Sequence, residues 1–182
     1  MFNKEKKFIL AIFLQIIIIL IIIVFKMSIL TGGKGILLKV SPVDPRDVLR
    51  GDFVDFQYSI SNIDYYYNDY NNRKVSVGDT VYVELREGFN DWYFSYAYNE
   101  KPKNNNRLFI KGVVKKVEDV SESNNFGYQK IYVVYGIEQY FIPEGKGQGF
   151  SFNNKDVYAN VSVDGDGRAV LKGIYVDQKP WP

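Results

Sequence analysis

The chain has 182 residues, a formal net charge of +2, and neither histidine nor cysteine. Imidazole bases, thiol nucleophiles and nearly every zinc, copper or haem site are thereby excluded, so no cofactor is expected and only hard cations with oxygen ligands survive as metals. The charge is spread along the chain rather than gathered into a basic face, which argues against nucleic acid as a partner, while the lack of cysteine suits either side of a membrane.

The first predicted element is the apolar run FILAIFLQIIIILIIIVF over 8–25, with Gln15 its polar interruption. About 18 uncharged residues just cross a hydrocarbon core roughly 30 Å thick, so a transmembrane helix is expected and the lipid bilayer is its partner. A cleaved secretory signal is the competing reading, because Lys4, Lys6 and Lys7 form a basic region ahead of the run. The run is longer than a signal needs, and KMSILTGGKG over 26–35 offers no A-x-A-like small-residue site, which favours an uncleaved anchor. Lys26, Lys34 and Lys39 nearly balance the basic residues before the run, and the tightly packed KEKK cluster tips the N-terminus to the cytoplasm. The expected organisation is a cytoplasmic basic tail over 1–7, a transmembrane helix over 8–25, a flexible spacer over 26–35 containing TGGKG, and an extracytoplasmic β domain over 36–182, held in the inner (cell) membrane.

Beyond the anchor, period-two alternation recurs between clusters of Gly, Asn, Asp and Pro, which predicts a mainly β chain with one antiparallel β-barrel or β-sandwich domain. In VYVELRE, Val81, Val83 and Leu85 share one face, and in WYFSYAY the set Trp92, Phe94, Tyr96 and Tyr98 is expected on one side. In RLFIKGVVKKV the alternation changes phase around Gly112, which predicts a β-bulge there. VYANVSV turns Val157, Ala159, Val161 and Val163 inward, and DGDG then leads into RAVLKGIYV, a C-terminal hairpin. The Asn- and Tyr-rich segments over 64–74 and 100–107 read as surface loops, the first either a mark of compositional bias, which is preferred, or a stacking surface for a sugar or peptide.

DGDGR over 164–168 lacks the remaining positions of a calcium loop and reads as a hairpin turn, and the Arg50-Gly51-Asp52 triplet reads as a turn before a strand. VLRGDFVDFQY over 48–58 and VSVGDTVYVEL over 75–85 share a V-x-x-G-D-x-V pattern in which Gly-Asp launches a strand. In the first copy Val54, Phe56 and Tyr58 face one way, the side needed for a core, and Phe53, Asp55 and Gln57 the other.

GDFVDFQY over 51–58 resembles the signature of the bacterial GDYXXLXY family, with Gly51, Asp52 and Tyr58 matching, Phe53 replacing the motif tyrosine and Phe56 its leucine. LLKVSPVDPRDVLRGDF from Leu37, YGIEQYFIPEGKG over 135–147 and DGRAVLKGIYVD over 166–177 resemble further blocks of that family. The resemblance implies a membrane-anchored protein without an assigned biochemical activity, with polytopic membrane proteins as expected neighbours and partners.

VDPRDVLRGD gathers Asp44, Arg46, Asp47, Arg50 and Asp52 around Pro45, either a ligand site or a self-satisfied ion-pair network that fixes the turn. Glu138 and Glu144 flank Tyr140 and Phe141, and convergence of Glu138 with Arg46 or Arg50 would make a polar site in an apolar wall. The candidate set is therefore Arg46, Arg50, Gly51, Asp52, Phe56, Tyr58, Glu138, Tyr140 and Glu144, with no catalytic, cofactor or metal role assigned.

Three function classes remain. A non-enzymatic module binding a membrane-protein partner or envelope component is preferred, because no nucleophile–base constellation is visible. A carboxylate-dependent hydrolase acting on envelope glycans would use Asp52, Glu138 or Glu144 and requires two of these carboxyls about 5 to 9.5 Å apart. A signal-peptidase-like domain would pair Ser41 with Lys39 or Lys111, but the Ser-Met and Pro spacing expected there is absent.

Overall fold

The computed structural model describes residues 4–41, 53–68, 73–103, 107–123, 126–141 and 154–181. The chain opens with helix α1 (Lys4–Gly32), whose length of 29 residues corresponds to about 43 Å. Apart from Gln15 its side chains from Phe8 to Phe25 are apolar, nearly all of them exposed, and among the described residues it is the one helix long and apolar enough to cross a membrane. A helix satisfies its backbone polar groups internally, which is what permits so apolar a run to leave water.

No spacer follows. Residues 26–32 continue the helix and β1 (Lys34–Ser41) starts after Gly33 alone, so the flexibility expected over 26–35 is replaced by a packed junction. Gly33 N donates to Ile29 O at 3.0 Å and Ser162 Oγ donates to the same carbonyl at 2.8 Å, satisfying a helix-end acceptor. A Cβ on Gly33 would lie 2.5 Å from Ser162 Oγ and 2.7 Å from Ile29 O. Glycine is present here because two backbones approach closely, not because the chain must flex.

The remaining elements are β2 (Phe53–Asp55), β3 (Gln57–Tyr58), β4 (Asn62–Asn68), β5 (Thr80–Glu87), β6 (Trp92–Tyr98), β7 (Leu108–Ser123), β8 (Phe126–Val134), β9 (Gln139–Phe141), β10 (Val157–Val163), β11 (Ala169–Val176) and β12 (Lys179–Trp181). Among the described residues one sheet runs β12-β11-β10-β1-β6-β5-β7-β8-β4, with β3 on β1, and β2 pairs separately with β9. The β1 to β6 contact, Leu38 opposite Trp92, is parallel and the other pairs are antiparallel, so the sheet is mixed. β3 and β4 belong to one bent run: Tyr58 pairs with Val40 on β1, while Ile63 pairs with Ile131 on β8. The path therefore returns to β1, closing a barrel, and β10 to β12 extend from β1 as a flap. The bend at 59–61 is held by buried Ser61, whose N–H donates to Tyr58 O at 2.9 Å and whose carbonyl accepts from Val133 N at 2.8 Å.

The core follows the alternation at several strands. Val81, Val83 and Leu85 of β5 and Val157, Ala159, Val161 and Val163 of β10 are buried, and the DGDG hairpin joins β10 to β11 with Asp164 N donating to Arg168 O. Three expectations are corrected. In β6 the register slips by one residue at Ser95, opposite the Glu84/Leu85 step, so Phe94 and Trp92 pack against the core while Ala97 takes the inward position and Tyr96 and Tyr98 pair on the outside. The bulge expected at Gly112 lies instead at Lys115, between Val114 and Lys116. Gly112 keeps phase with Ile110 and Val114, and its missing Cβ leaves room for the side chains of Val133 and Tyr135. Finally, the Tyr-rich segment expected as a loop over 64–74 begins as β4, with Tyr65 buried in the core and its hydroxyl donating to Arg73 O at 3.0 Å.

Candidate binding site

The signature strand is broken at Phe56 into β2 and β3, yet both apolar side chains turn inward: Phe56 is 4% and Tyr58 0% exposed. Tyr58 Oη donates to Ile137 O at 2.5 Å, and Phe56 N donates to Glu138 O at 2.6 Å. Burial, and secondarily the nearby Glu138 charge, raise the Tyr58 hydroxyl well above its ordinary range, so it serves as a neutral donor. Two of the blocks singled out in the sequence thus meet: β2 carries Val54 opposite Tyr140 of β9. Tyr140 stands between Phe56 and Trp181, with ring centroids 6.3 and 6.1 Å away.

Glu138 belongs to this joint as a loop-holding group. Its carboxylate accepts from Tyr135 N and, at 2.8 Å, from Gly136 N, across a turn in which Gly136 has φ 78°. Tyr135 Oη in turn donates to Ile60 O at 2.5 Å. A carboxylate occupied by two main-chain donors is positioned to order the turn that precedes β9. Arg46, Arg50, Gly51, Asp52 and Glu144 lie outside the described residues, and with them the convergence of Glu138 on an arginine.

A cleft of about 1040 Å³ lies elsewhere, on the outer face of the sheet beside the first residues of β1. Its wall combines Trp92, Tyr158 and Tyr175 with the carboxylates of Glu87, Asp91, Asp156 and Asp177, against the ammonium of Lys172. Lys34 Nζ sits 4.3 Å from the Trp92 ring centroid, a cation–π contact at the start of β1. Asp156 and Asp177 are clasped by Asp177 N donating to Asp156 O at 2.9 Å and Asp156 N donating to Asp177 Oδ1 at 3.1 Å. The clasp depends on the β11–β12 turn, where Asp177 and Gln178 have φ 48° and 65°. Among the described residues no three acidic side chains gather closely enough to hold a metal ion, and Asp156 Oδ1 lies 3.9 Å from Lys39 Nζ, an exposed ion pair. Trp92 lay within an aromatic strand already recognisable in the sequence. The Asp-Gln turn between two alternating segments was the signal that could have located the clasp.

The strand order, the single apolar helix and the joint between the signature strand and β9 can be set beside known families. A family model described as GDYXXLXY protein matches residues 15–174. The chain belongs to the GDYXXLXY family. The matched span covers most of α1 and the β domain, ending within β11, so the GDYXXLXY unit includes helix and barrel together. No curated protein and no solved structure matches the chain.

Proposed function

We propose that this GDYXXLXY protein is a single-pass membrane-anchored binding module, with a cytoplasmic N-terminus, an extracytoplasmic barrel and no catalytic role, which engages a polytopic membrane protein through the cleft beside β1. The observation that carries the reading is the junction at Gly33. The cleft includes Gly35 and Leu37, which follow the apolar helix directly, and the Ser162 to Ile29 hydrogen bond ties the flap to that helix. A cleft held so close to the anchor is within reach of the loops of a neighbouring membrane protein. Aromatic side walls with separated carboxylates suit an extended peptide segment, offering stacking surface and acceptors for its N–H, amide or ammonium donors.

The test is in-cell photo-crosslinking from Leu37 and from Asn160 in the cleft, with Val77, an exposed residue in the turn before β5, as the remote control. The expected result is a discrete adduct with a polytopic membrane protein from the two cleft positions and none from Val77. Equal adducts from all three positions, or none from the cleft, would refute the reading. The orientation is checked separately: a membrane-impermeant maleimide labels Val77→Cys in intact cells if the barrel lies outside.

A further inference from the structure

Outside α1, the most exposed large apolar side chain among the described residues is Phe89, with a relative exposure of 102%. It stands in the β5–β6 connection, closed by Gly88 N donating to Asp91 O at 2.8 Å. The register fixes which end of the barrel this tip occupies. β1 runs away from α1, and β6 lies parallel to it with Trp92 beside Leu38, so residues before Trp92 lie toward the helix. Glu87 pairs with Trp92 across the hairpin, and the Phe89 tip shares the cleft with Gly35 and Ile36 at the start of β1. The β10–β11 hairpin occupies the same end, because Lys34 pairs with Val163. There Arg168 lies over the ring of Phe25, 5.0 Å from its centroid, so this rim reaches down to the last residue of the apolar run.

We propose that the helix-end rim of the barrel seats on the lipid bilayer, with Phe89 inserted at the interface as a second contact beside α1. The proposal rests on the membrane-anchor reading of α1. An aromatic ring on an otherwise polar turn, flanked by Gly88, Asn90 and Asp91, gains little from water but fits the headgroup boundary, where an apolar side chain can bury while its turn stays hydrated. Two anchoring points would hold the cleft against the membrane surface and restrict its occupant to chains presented there. Lys34, exposed near the same rim, supplies a cation suited to headgroup phosphates, whereas Arg168 is ion-paired with Asp164 and Asp166 of its own hairpin at 3.7 and 3.5 Å.

The chain has no cysteine, so single-cysteine variants Phe89→Cys, Val77→Cys and Leu14→Cys of the full chain each take one spin label. Val77 is 63% exposed and precedes β5, whose eight residues place it roughly 25 Å from the opposite end of that strand. The variants are reconstituted in vesicles of phosphatidylethanolamine and phosphatidylglycerol, and collision with oxygen is compared with collision with a water-soluble nickel chelate. The expected result is nickel accessibility at 89 several-fold below that at 77, with 14 the most shielded. If 14 is shielded and 89 is as open to nickel as 77, seating is overturned and the anchor stands. If 14 itself is open to nickel, the anchor reading falls and seating falls with it.

Discussion

Tyr58 and Ile137 lie far apart in the chain, yet the Tyr58 hydroxyl donates to the Ile137 carbonyl at 2.5 Å inside the core. This bond fastens the end of the signature strand to the turn preceding β9. Tyr58→Phe keeps the ring but leaves a buried carbonyl without its donor, an expected loss of about 1–3 kcal/mol. Phe56→Ala removes a buried ring and is expected to lose about 3–5 kcal/mol. Thermal unfolding of the full chain in detergent measures both, and an unchanged melting temperature for Phe56→Ala would remove the strand from the core.

Alkaline pH addresses the same joint. Tyr58 and Tyr135 are both raised above their ordinary value of 10.0, first by burial and then by the Glu138 charge. The folded state therefore binds these protons more tightly than the unfolded state. Their contribution to stability is complete below pH 10 and is lost as pH rises through the unfolded value toward the folded one. Melting temperature should fall steeply above pH 10, and the fall should be shallower in Tyr58→Phe. An identical slope in that variant would assign the alkaline transition to other groups, such as Tyr65, which burial also raises.

The parts of this architecture legible in the sequence are those where alternation runs unbroken. β5 and β10 carry apolar residues at every second position, and Phe56 and Tyr58 keep that spacing even though the strand breaks between β2 and β3. β6 was not legible, because WYFSYAY is aromatic on both faces and a one-residue slip at Ser95 leaves no compositional trace. Tyr65 carries loop-like neighbours but belongs to the barrel wall, since its ring packs in the core while its hydroxyl finds a main-chain acceptor. TGGKG looked flexible because composition cannot distinguish a glycine that flexes from one, like Gly33, that fits under a neighbouring chain. Glu138 stood out as a charge, but its role depends on the φ of Gly136 and on two N–H groups that only the folded turn brings together. The cleft draws on β1, the β5–β6 turn and the β10–β12 flap, segments whose meeting no local pattern encodes.

Gln129 provides a test of a buried polar clamp. Its amide, 0% exposed, accepts from Val75 N and donates to Val75 O, both at 3.1 Å, and also donates to Asp119 Oδ1 at 2.8 Å. That last bond, assisted by Lys74, holds the Asp119 carboxyl below its ordinary range. Gln129→Leu preserves bulk but strips a buried N–H and C=O of partners, so a loss of about 2–4 kcal/mol is expected, more than from Asp119→Asn. Denaturant unfolding of the full chain ranks the two, and the reverse order would show that the clamp on Val75 is dispensable.

Gly33→Ala tests whether helix and barrel form one packed unit. The added Cβ would meet Ser162 Oγ at 2.5 Å, Ile29 O at 2.7 Å and Val163 O at 2.9 Å. Two of these obstacles are main-chain atoms of α1 and β10, so relief requires the elements themselves to separate, at a cost of about 1–3 kcal/mol. Ser162→Ala removes the third obstacle together with the hydrogen bond to Ile29 O, a loss of about 1 kcal/mol. The double variant should therefore be less destabilised than the sum of the single ones, yet remain below Ser162→Ala alone. Melting temperatures for the four proteins complete the cycle, and limited proteolysis should expose the junction in Gly33→Ala first. Strict additivity, or wild-type stability in Gly33→Ala, would mean that the helix end is not packed on β10 and that the barrel swings freely from α1.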